Sequence, residues 1–353
     1  MLQRTAVAMS GGVDSSAAAL LLQREGRELL GLTLRLFHSG GTDSAPADAA
    51  AVSRQLGFPH HTLDMCREFQ AEVIEPFIAD YEAGRTPNPC VRCNRAIKFG
   101  ALLQKAAELG CSQLATGHYA RTEYDAGLDR WLLRKAARPD KDQSYVLAML
   151  TQEQLSRALF PLGELSKEEV RALAREAGLT SAGKGDSQDI CFIPDGDYGS
   201  FIRRHTGRDY PSGPYLDGSG AVLGQHTGII DYTIGQRRGL GVSSSGGRLY
   251  VKELRPGENA VVLSSNDALF ARTLTAGRLN LIACPRLEGP VRLLAKVRYR
   301  MAEQPCTVEQ TGGDTIRLTF DQPQRAVTPG QTVVLYDGDL VVGGAVIDRS
   351  IPD

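Results

Sequence analysis

The run Ser10-Gly11-Gly12-Val13-Asp14-Ser15-Ser16 decides how this chain is read. An apolar stretch, Thr5-Ala6-Val7-Ala8-Met9, leads into it, and Ala17-Ala18-Ala19-Leu20-Leu21-Leu22 leads out. The first predicts a buried strand and the second a helix. Two glycines let backbone N–H groups approach an anion without a Cβ in the way. Ser15 and Ser16 add hydroxyl donors, and the following helix adds free N–H groups and the positive end of its dipole. The run therefore reads as a phosphate cradle at the C-terminal end of the first strand, where open α/β sheets take their ligands. A plain glycine turn is the bland alternative, but seven residues in a strand–helix setting say more than a Gly-Gly pair. No Gly-Lys-Ser/Thr follows, so this is not a Walker loop, and it is not the dinucleotide Gly-x-Gly-x-x-Gly either.

Working outward, strands and helices alternate. Glu28 to Phe37 predicts a strand. Gly40-Gly41, with Thr42, Asp43 and Ser44, predicts a loop and helix cap. His60 to Asp64 predicts a short strand, and Gln113 to Tyr119 another. Such alternation argues a parallel sheet with helices on both faces. Ser166 and Glu169 form a capping box for a helix from Lys167 to Ala177. From Gly207 glycines become dense and helical periodicity disappears. Asp231 to Gly241 is basic and glycine-rich, and short strands are expected at 291–299, 305–309, 315–320, 332–336 and 341–347. Their spacing suggests a small β-barrel or sandwich. The expected organisation is an α/β domain at 1–205, a small linking domain at 206–273 and a C-terminal β-barrel at 274–353.

With 353 residues, more than one domain is expected. No apolar run approaches the length of a membrane helix. The early strand leaves no room for a signal peptide, so a cytoplasmic protein with no membrane partner is expected. The net charge of −1 does not announce a nucleic-acid binder, though a local basic stripe is compatible with it. If Arg292 to Arg300 is a strand, its alternation puts Arg292, Lys296, Arg298 and Arg300 on one face without an acid, which fits a phosphate backbone better than a solvated face.

Seven cysteines, an odd number in a reducing compartment, argue against a disulfide scaffold. Cys66, Cys111, Cys284 and Cys306 read as buried structural residues. Only Cys90 and Cys93 share a tight motif, in a proline-containing loop, and no second Cys-x-x-Cys or His pair completes a zinc site. Arg92 and Arg95 flank them and are expected to lower the thiol pKa. Cys191, after Asp186-Ser187-Gln188-Asp189, would by itself more often be a core cysteine.

Several further motifs follow in order. They are Thr86-Pro87-Asn88-Pro89 with Cys93-Asn94, Ala115-Thr116-Gly117-His118-Tyr119-Ala120, Lys141-Asp142-Gln143-Ser144-Tyr145, Ile190-Cys191-Phe192-Ile193, Gly235-Gln236-Arg237 with Gly239-Leu240, Val297-Arg298-Tyr299-Arg300 and Thr328-Pro329-Gly330-Gln331. The first loop resembles the pyrophosphate loop of the ATP pyrophosphatases, which implies adenylation of a substrate oxygen, and together with these motifs it resembles the tRNA-specific 2-thiouridylase family across essentially the whole chain. Argininosuccinate synthetase, another ATP-pyrophosphatase-loop enzyme, needs neither cysteine and has no such β-rich tail. A non-catalytic RNA-binding sulfur carrier on the same fold is the alternative from another class.

The resemblance implies an adenine nucleotide alpha-hydrolase-like first domain and ATP-dependent 2-thiolation of the wobble uridine, position 34, in a tRNA anticodon loop. It implies ATP held by Ala8, Met9, Ser10, Gly11, Gly12, Val13, Asp14, Ser15, Leu34 and Gly117, with Mg²⁺ placed by Asp14. Cys93 matches the nucleophile, and Cys191 matches the cysteine that receives persulfide sulfur from a relay protein or cysteine desulfurase. Asn88, Pro89 and Cys90 would meet the target base. His118, Lys141, Asp142, Gln143, Arg298, Tyr299 and Gln331 would touch tRNA. Many family members carry aspartate where this chain has Cys90. Three thiolates at Cys90, Cys93 and Cys191 would leave one iron of a [4Fe-4S] cluster open for sulfide, which is the alternative to a persulfide–disulfide route.

Overall fold

The computed structural model describes residues 4–37, 44–183, 190–242 and 247–351. The expected loop at Gly40 to Asp43 and the Asp186 to Asp189 segment before Cys191 lie outside them.

The first strands are β1 (Thr5–Ala8), β2 (Leu29–Arg35), β3 (His60–Asp64), β4 (Gln113–Ala115), β5 (Ala120–Asp125), β6 (Arg130–Lys135) and β7 (Ala158–Leu159). A parallel sheet forms in the order β3-β2-β1-β4-β7. Alternation along β1 explains why both faces must be covered. Val7 packs with α1 (Val13–Arg24), α2 (Ala45–Leu56) and the helix Lys167–Glu176. Ala6 points to the opposite face, among Val91, Phe99, Leu102 and Tyr145. The alanines Ala17, Ala18 and Ala19 are fully buried, and their small size lets α1 lie close to the sheet. The expected capping box closes in both directions, with Glu169 N donating to Ser166 Oγ and Ser166 N to Glu169 Oε2.

The hairpin β5–β6 departs from the expected boundary. Its two strands leave the parallel sheet and extend the C-terminal sheet through the Leu340–Arg134 pairing. Arg121 and Arg134 both reach Asp339, at 2.8 and 2.7 Å, and Arg130 donates to Ile282 O at 2.7 Å. Hydrophobic alternation alone does not say which sheet a hairpin joins.

The next strands are β8 (Gly213–Leu216), β9 (Val222–His226), β10 (Tyr250–Arg255) and β11 (Ala260–Ser264), ordered β10-β11-β8-β9. Their core is shared with the first domain: Tyr215, Tyr232 and Val261 cluster with Phe69, Phe77, Tyr81 and Cys93. Phe192 meets Phe69 and Phe77 edge-on at 5.6 and 5.4 Å. The residues after Cys191 are thereby fixed to the helices before Cys90.

The last strands are β12 (Phe270–Leu281), β13 (Val291–Lys296), β14 (Gln304–Gln310), β15 (Ile316–Arg325), β16 (Thr332–Asp337) and β17 (Leu340–Ile351). They follow the order β12-β15-β14-β13-β16-β17, and β17 pairs back on β12 to close a six-stranded barrel. Closure removes the sheet edges. The basic stripe is corrected here. β13 stops at Lys296, so Arg298 and Arg300 lie in a turn rather than on the strand face. Cross-strand acids, invisible in the local sequence, neutralise the rest: Asp321 pairs with Arg292 at 2.7 Å, and Glu303 with Lys296 at 3.6 Å.

Candidate active site: a phosphate loop and a group of thiols

The loop after β1 turns at Gly11, whose φ of +71° favours glycine and whose added Cβ would stand 2.9 Å from Ala45 O and from Asp48 Cβ. Gly12 is the N-cap of α1, and among the described residues no side-chain hydrogen bond caps the helix there. Ser15 Oγ accepts from Ser10 N at 3.2 Å and donates to Gly12 O at 3.2 Å, and Ser16 Oγ donates to Gly12 O at 2.9 Å. The expected donors thus brace the loop as well as line it. Met9 is buried, and Thr33 Oγ1 donates to its carbonyl at 2.8 Å. Ala8 and Leu34 are half-buried at the C-terminal ends of neighbouring strands.

Asp14 has a different place from the one expected. Both its carboxylate oxygens lie 2.8 Å from Lys167 Nζ, and Tyr119 OH donates to Oδ1 at 2.7 Å. Committed in this way, it is not an open carboxylate for Mg²⁺. Gly117 packs directly on the loop. A Cβ there would stand 2.8 Å from Asp14 C and Ser15 N.

Cys90 and Cys93 are not in a loop, as the prolines suggested, but in the first turn of a helix, Pro89–Cys93. Asn88 is its N-cap, accepting from Val91 N at 3.4 Å, and Pro89 takes N1, where a missing N–H costs nothing. The helix continues through a π-helical stretch, Asn94–Leu102, into Leu103–Glu108. Cys90 and Cys191 are exposed and Cys93 is buried. The thiols are not activated by their flanking arginines. Although Cys90 and Cys191 keep solvent-exposed surface, the protein packed around all three thiols desolvates them, which pushes Cys90 and Cys93 up and Cys191 up to about 12. After burial, the largest influence on Cys191 is Cys93, then Cys90. The cation that opposes these rises at all three thiols is Lys98. Arg92 turns away to Glu72, 3.5 Å from its carboxylate. Of the other cysteines, Cys111 and Cys306 are buried as expected, whereas Cys66 and Cys284 are half-buried.

Among the described residues no three His, Cys, Asp or Glu side chains are placed to hold a metal ion.

The residues expected at tRNA divide into two groups. Several face inward. His118 is buried, its Nδ1 2.7 Å from Thr116 Oγ1 and its ring near Phe99 and Phe160. Asp142 accepts from Ala136 N, Ser144 N and Ser144 Oγ, and Gln143 Oε1 accepts from Tyr119 N at 3.0 Å. Lys141 is likewise engaged. Arg298 donates to Ile234 O, Ala326 O and Thr328 Oγ1, at 3.2, 2.9 and 2.6 Å, and joins the middle domain to the barrel. These side chains build the site and bond within the protein, although Arg298 Nε is buried without a hydrogen-bond partner among the described residues. The others approach the thiols. Gln331 Nε2 donates to Thr86 O at 2.8 Å, tying the segment before Asn88 to the barrel. Tyr299 is 40% exposed, its ring near Tyr145, and partial burial, followed by Asp142 and then Cys90, pushes the pKa of its hydroxyl up.

Family models match the chain in three consecutive pieces. These are the tRNA methyl transferase HUP domain at 3–195, the tRNA methyl transferase PRC-barrel domain at 199–265, and an aminomethyltransferase beta-barrel domain at 271–347. The tRNA-specific 2-thiouridylase MnmA 1 of Caldanaerobacter subterraneus subsp. tengcongensis is 47% identical over 99% of this chain and 98% of its own length. The tRNA-specific 2-thiouridylase MnmA of Clostridioides difficile is 43% identical over 99% of both chains. This chain belongs to the tRNA-specific 2-thiouridylase family. Among solved structures, the U34-tRNA thiolase NcsA of Methanococcus maripaludis with its [4Fe-4S] cluster matches at a TM-score of 0.36. It is 17% identical, over 57% of this chain and 66% of its own.

Two residues of this 2-thiouridylase site escaped the sequence reading. Lys167 had a signal, because a lysine at the first helical position opposes the dipole, where acids are favoured. Lys98, inside an apparently ordinary amphipathic run, had none. Among the described residues no helix is long and apolar enough to cross a membrane.

Proposed function

We propose that this chain transfers sulfur to C2 of a tRNA uridine at the wobble position, using ATP to activate the C2 oxygen. One observation carries the reading: Gly117 and His118 join the two halves of the site. Gly117 packs on the backbone of Asp14 and Ser15. The next side chain, His118, feels the same Lys98 charge that acts on Cys90, Cys93 and Cys191. Activation and sulfur chemistry thus share one rigid scaffold.

In this reading the N-terminus of α1, which carries no side-chain cap hydrogen bond, and the Ser10–Ser15 backbone take the phosphates of ATP. Leu34 offers backbone to adenine. The uridine C2 oxygen attacks the α-phosphorus, pyrophosphate leaves, and the oxygen becomes part of a good leaving group. Oriented N–H groups stabilise the charge that develops on the phosphates. Anticodon-loop bases can be splayed out of the stack, so the target base can reach Asn88, Pro89 and Cys90.

Sulfur follows the persulfide route. A relay protein or cysteine desulfurase leaves Cys191 as a persulfide, whose terminal sulfur attacks C2 and displaces AMP. The Cys93 thiolate then attacks Cys191 Sγ. The S–S bond to the base breaks, 2-thiouridine leaves as its thiolate, and a Cys93–Cys191 disulfide remains. A dithiol reductant returns both thiols with two electrons and two protons. Splitting the substitution in this way replaces one hard step by easier ones.

The test is mass spectrometry of tRNA nucleosides from a strain lacking the gene, complemented by wild type, Cys93→Ser or Cys191→Ser. Loss of 2-thiouridine on deletion, with rescue only by wild type, is expected. Unchanged 2-thiouridine in the deletion strain refutes the reading. In vitro, pyrophosphate release that depends on tRNA is expected. Its absence, with tRNA still bound, marks a non-catalytic carrier.

A further inference from the structure

Lys98 has no task in the reaction just described, yet it is the cation of the sulfur half-site. It sits in the Asn94–Leu102 stretch, immediately after Cys93, where bonding is π-helical. In a regular α-helix five residues advance about 140° past a full turn, so Cys93 and Lys98 would diverge. Bonds from i to i+5 bring the fifth residue back beneath the first, and such stretches are frequent at functional sites. Ile97 and Phe99, 0% and 1% exposed, anchor the backbone on either side of the half-buried lysine. Its charge acts on Cys90, Cys93 and Cys191, which come from two separate parts of the chain. Among the described residues no hydrogen bond or ion pair engages its ammonium. A partly desolvated cation without a counter-charge is costly unless an anion is supplied.

We propose that Lys98 is a positioning residue whose ammonium holds the anionic sulfur, thiolate or persulfide, that these cysteines present during turnover. The proposal rests on reading the three cysteines as the sulfur half of the site. It adds the group that offsets the cost of negative sulfur where the surrounding protein disfavours it. It also gives the π-helical stretch a purpose, since an α-helical register would aim Lys98 elsewhere.

The experiment compares alkylation of Cys90 and Cys191 by iodoacetate, an anion, and iodoacetamide, its neutral counterpart. It is read by peptide mass spectrometry on the reduced full-length chain without tRNA. The same thiolate displaces iodide from both reagents, so the ratio of their rates reports the local field and not the thiolate fraction. In Lys98→Met the iodoacetate-to-iodoacetamide ratio at both cysteines is expected to fall about fivefold. Lys98→Arg should keep it, and Cys66, whose thiol answers to its own burial, Asp64, Arg35 and Glu68 rather than to Lys98, is the internal reference. If Lys98→Met does not fold, Lys98→Gln is read in the same way. An unchanged ratio, or an equal fall in Lys98→Arg, overturns the proposal. A chain that makes no 2-thiouridine yet shows the charge-dependent ratio would refute the proposed reaction and leave the role of Lys98 standing.

Discussion

Lys167 Nζ lies 2.8 Å from both carboxylate oxygens of Asp14, tying the first turn of α1 to the first turn of a helix 153 residues later. The lysine side chain is 4% exposed and the aspartate 33%. Removing one partner strands the other, but the exposed carboxylate can recover some hydration. Lys167→Met is therefore expected to cost about 1–3 kcal/mol in urea unfolding, below the usual cost of breaking a fully buried pair. Because Asp14 belongs to the phosphate loop, tRNA-dependent pyrophosphate release should also fall at least about tenfold, roughly 1.4 kcal/mol in the barrier. Normal turnover in a folded Lys167→Met protein would show that the pair is not what orders the loop.

The parts of this site that were legible in sequence are those set by local chemistry. Ser10 to Ser16 announced a strand, a tight turn and a helix, and the structure has all three. Ser166 and Glu169 announced their cap. The parts set by distant partners were not legible. Asp321 and Glu303 cancel a basic stripe from neighbouring strands. The hairpin 120–135 leaves its own sheet for the barrel. The Cys90–Cys93 pair was misplaced for another reason. Pro89 was read as a helix breaker, whereas Asn88 and Pro89 together are a helix start. The flanking arginines were expected to activate the thiols, but a side chain's position in sequence does not say where its charge points.

Gly117 tests how closely the two halves of the site are coupled. Its Cα faces backbone atoms of Asp14 and Ser15, and a Cβ would stand 2.8 Å from them. Backbone cannot swing aside as the end of a flexible chain can. Gly117→Ala is expected to destabilise the protein by about 1–3 kcal/mol, the usual cost of overpacking. It should also raise the KM for ATP more than that for tRNA in steady-state pyrophosphate release. An alanine variant with wild-type ATP kinetics would remove Gly117 from the nucleotide site.

Gln331 tests whether the barrel positions the target-base segment. Its amide donates to Thr86 O at 2.8 Å, and Thr86 N donates to Pro329 O at 2.8 Å, so two bonds tie the chain just before Asn88. Gln331→Ala leaves the backbone bond and removes the side-chain one. Stability should change by only about 1 kcal/mol. Thiolation of tRNA in single turnover should slow about tenfold, because small misplacements of a positioning element cost much more in rate than in stability. Gln331→Glu, which keeps the length but presents no N–H donor when ionised, should behave like the alanine variant. Full activity in both would mean that the Thr86 bond is dispensable.

His118 supplies a pH dependence of known sign. Burial, followed by the charge of Lys98, holds its pKa well below 6.5. The folded state therefore keeps the ring neutral, while the unfolded chain takes up a proton as pH drops through about 6.5. Its contribution to stability is fully present above that value and is lost toward acid, by at most about 1.4 kcal/mol per pH unit, until the folded ring also protonates. The urea midpoint should fall between pH 7.5 and 5.5, and His118→Gln, which cannot titrate, should flatten that fall even if it starts from a lower midpoint. Glu169, Asp197 and Asp217 have depressed pKa values and titrate lower, so they add little to this window. A wild-type-like slope in His118→Gln would assign the acid sensitivity to another group.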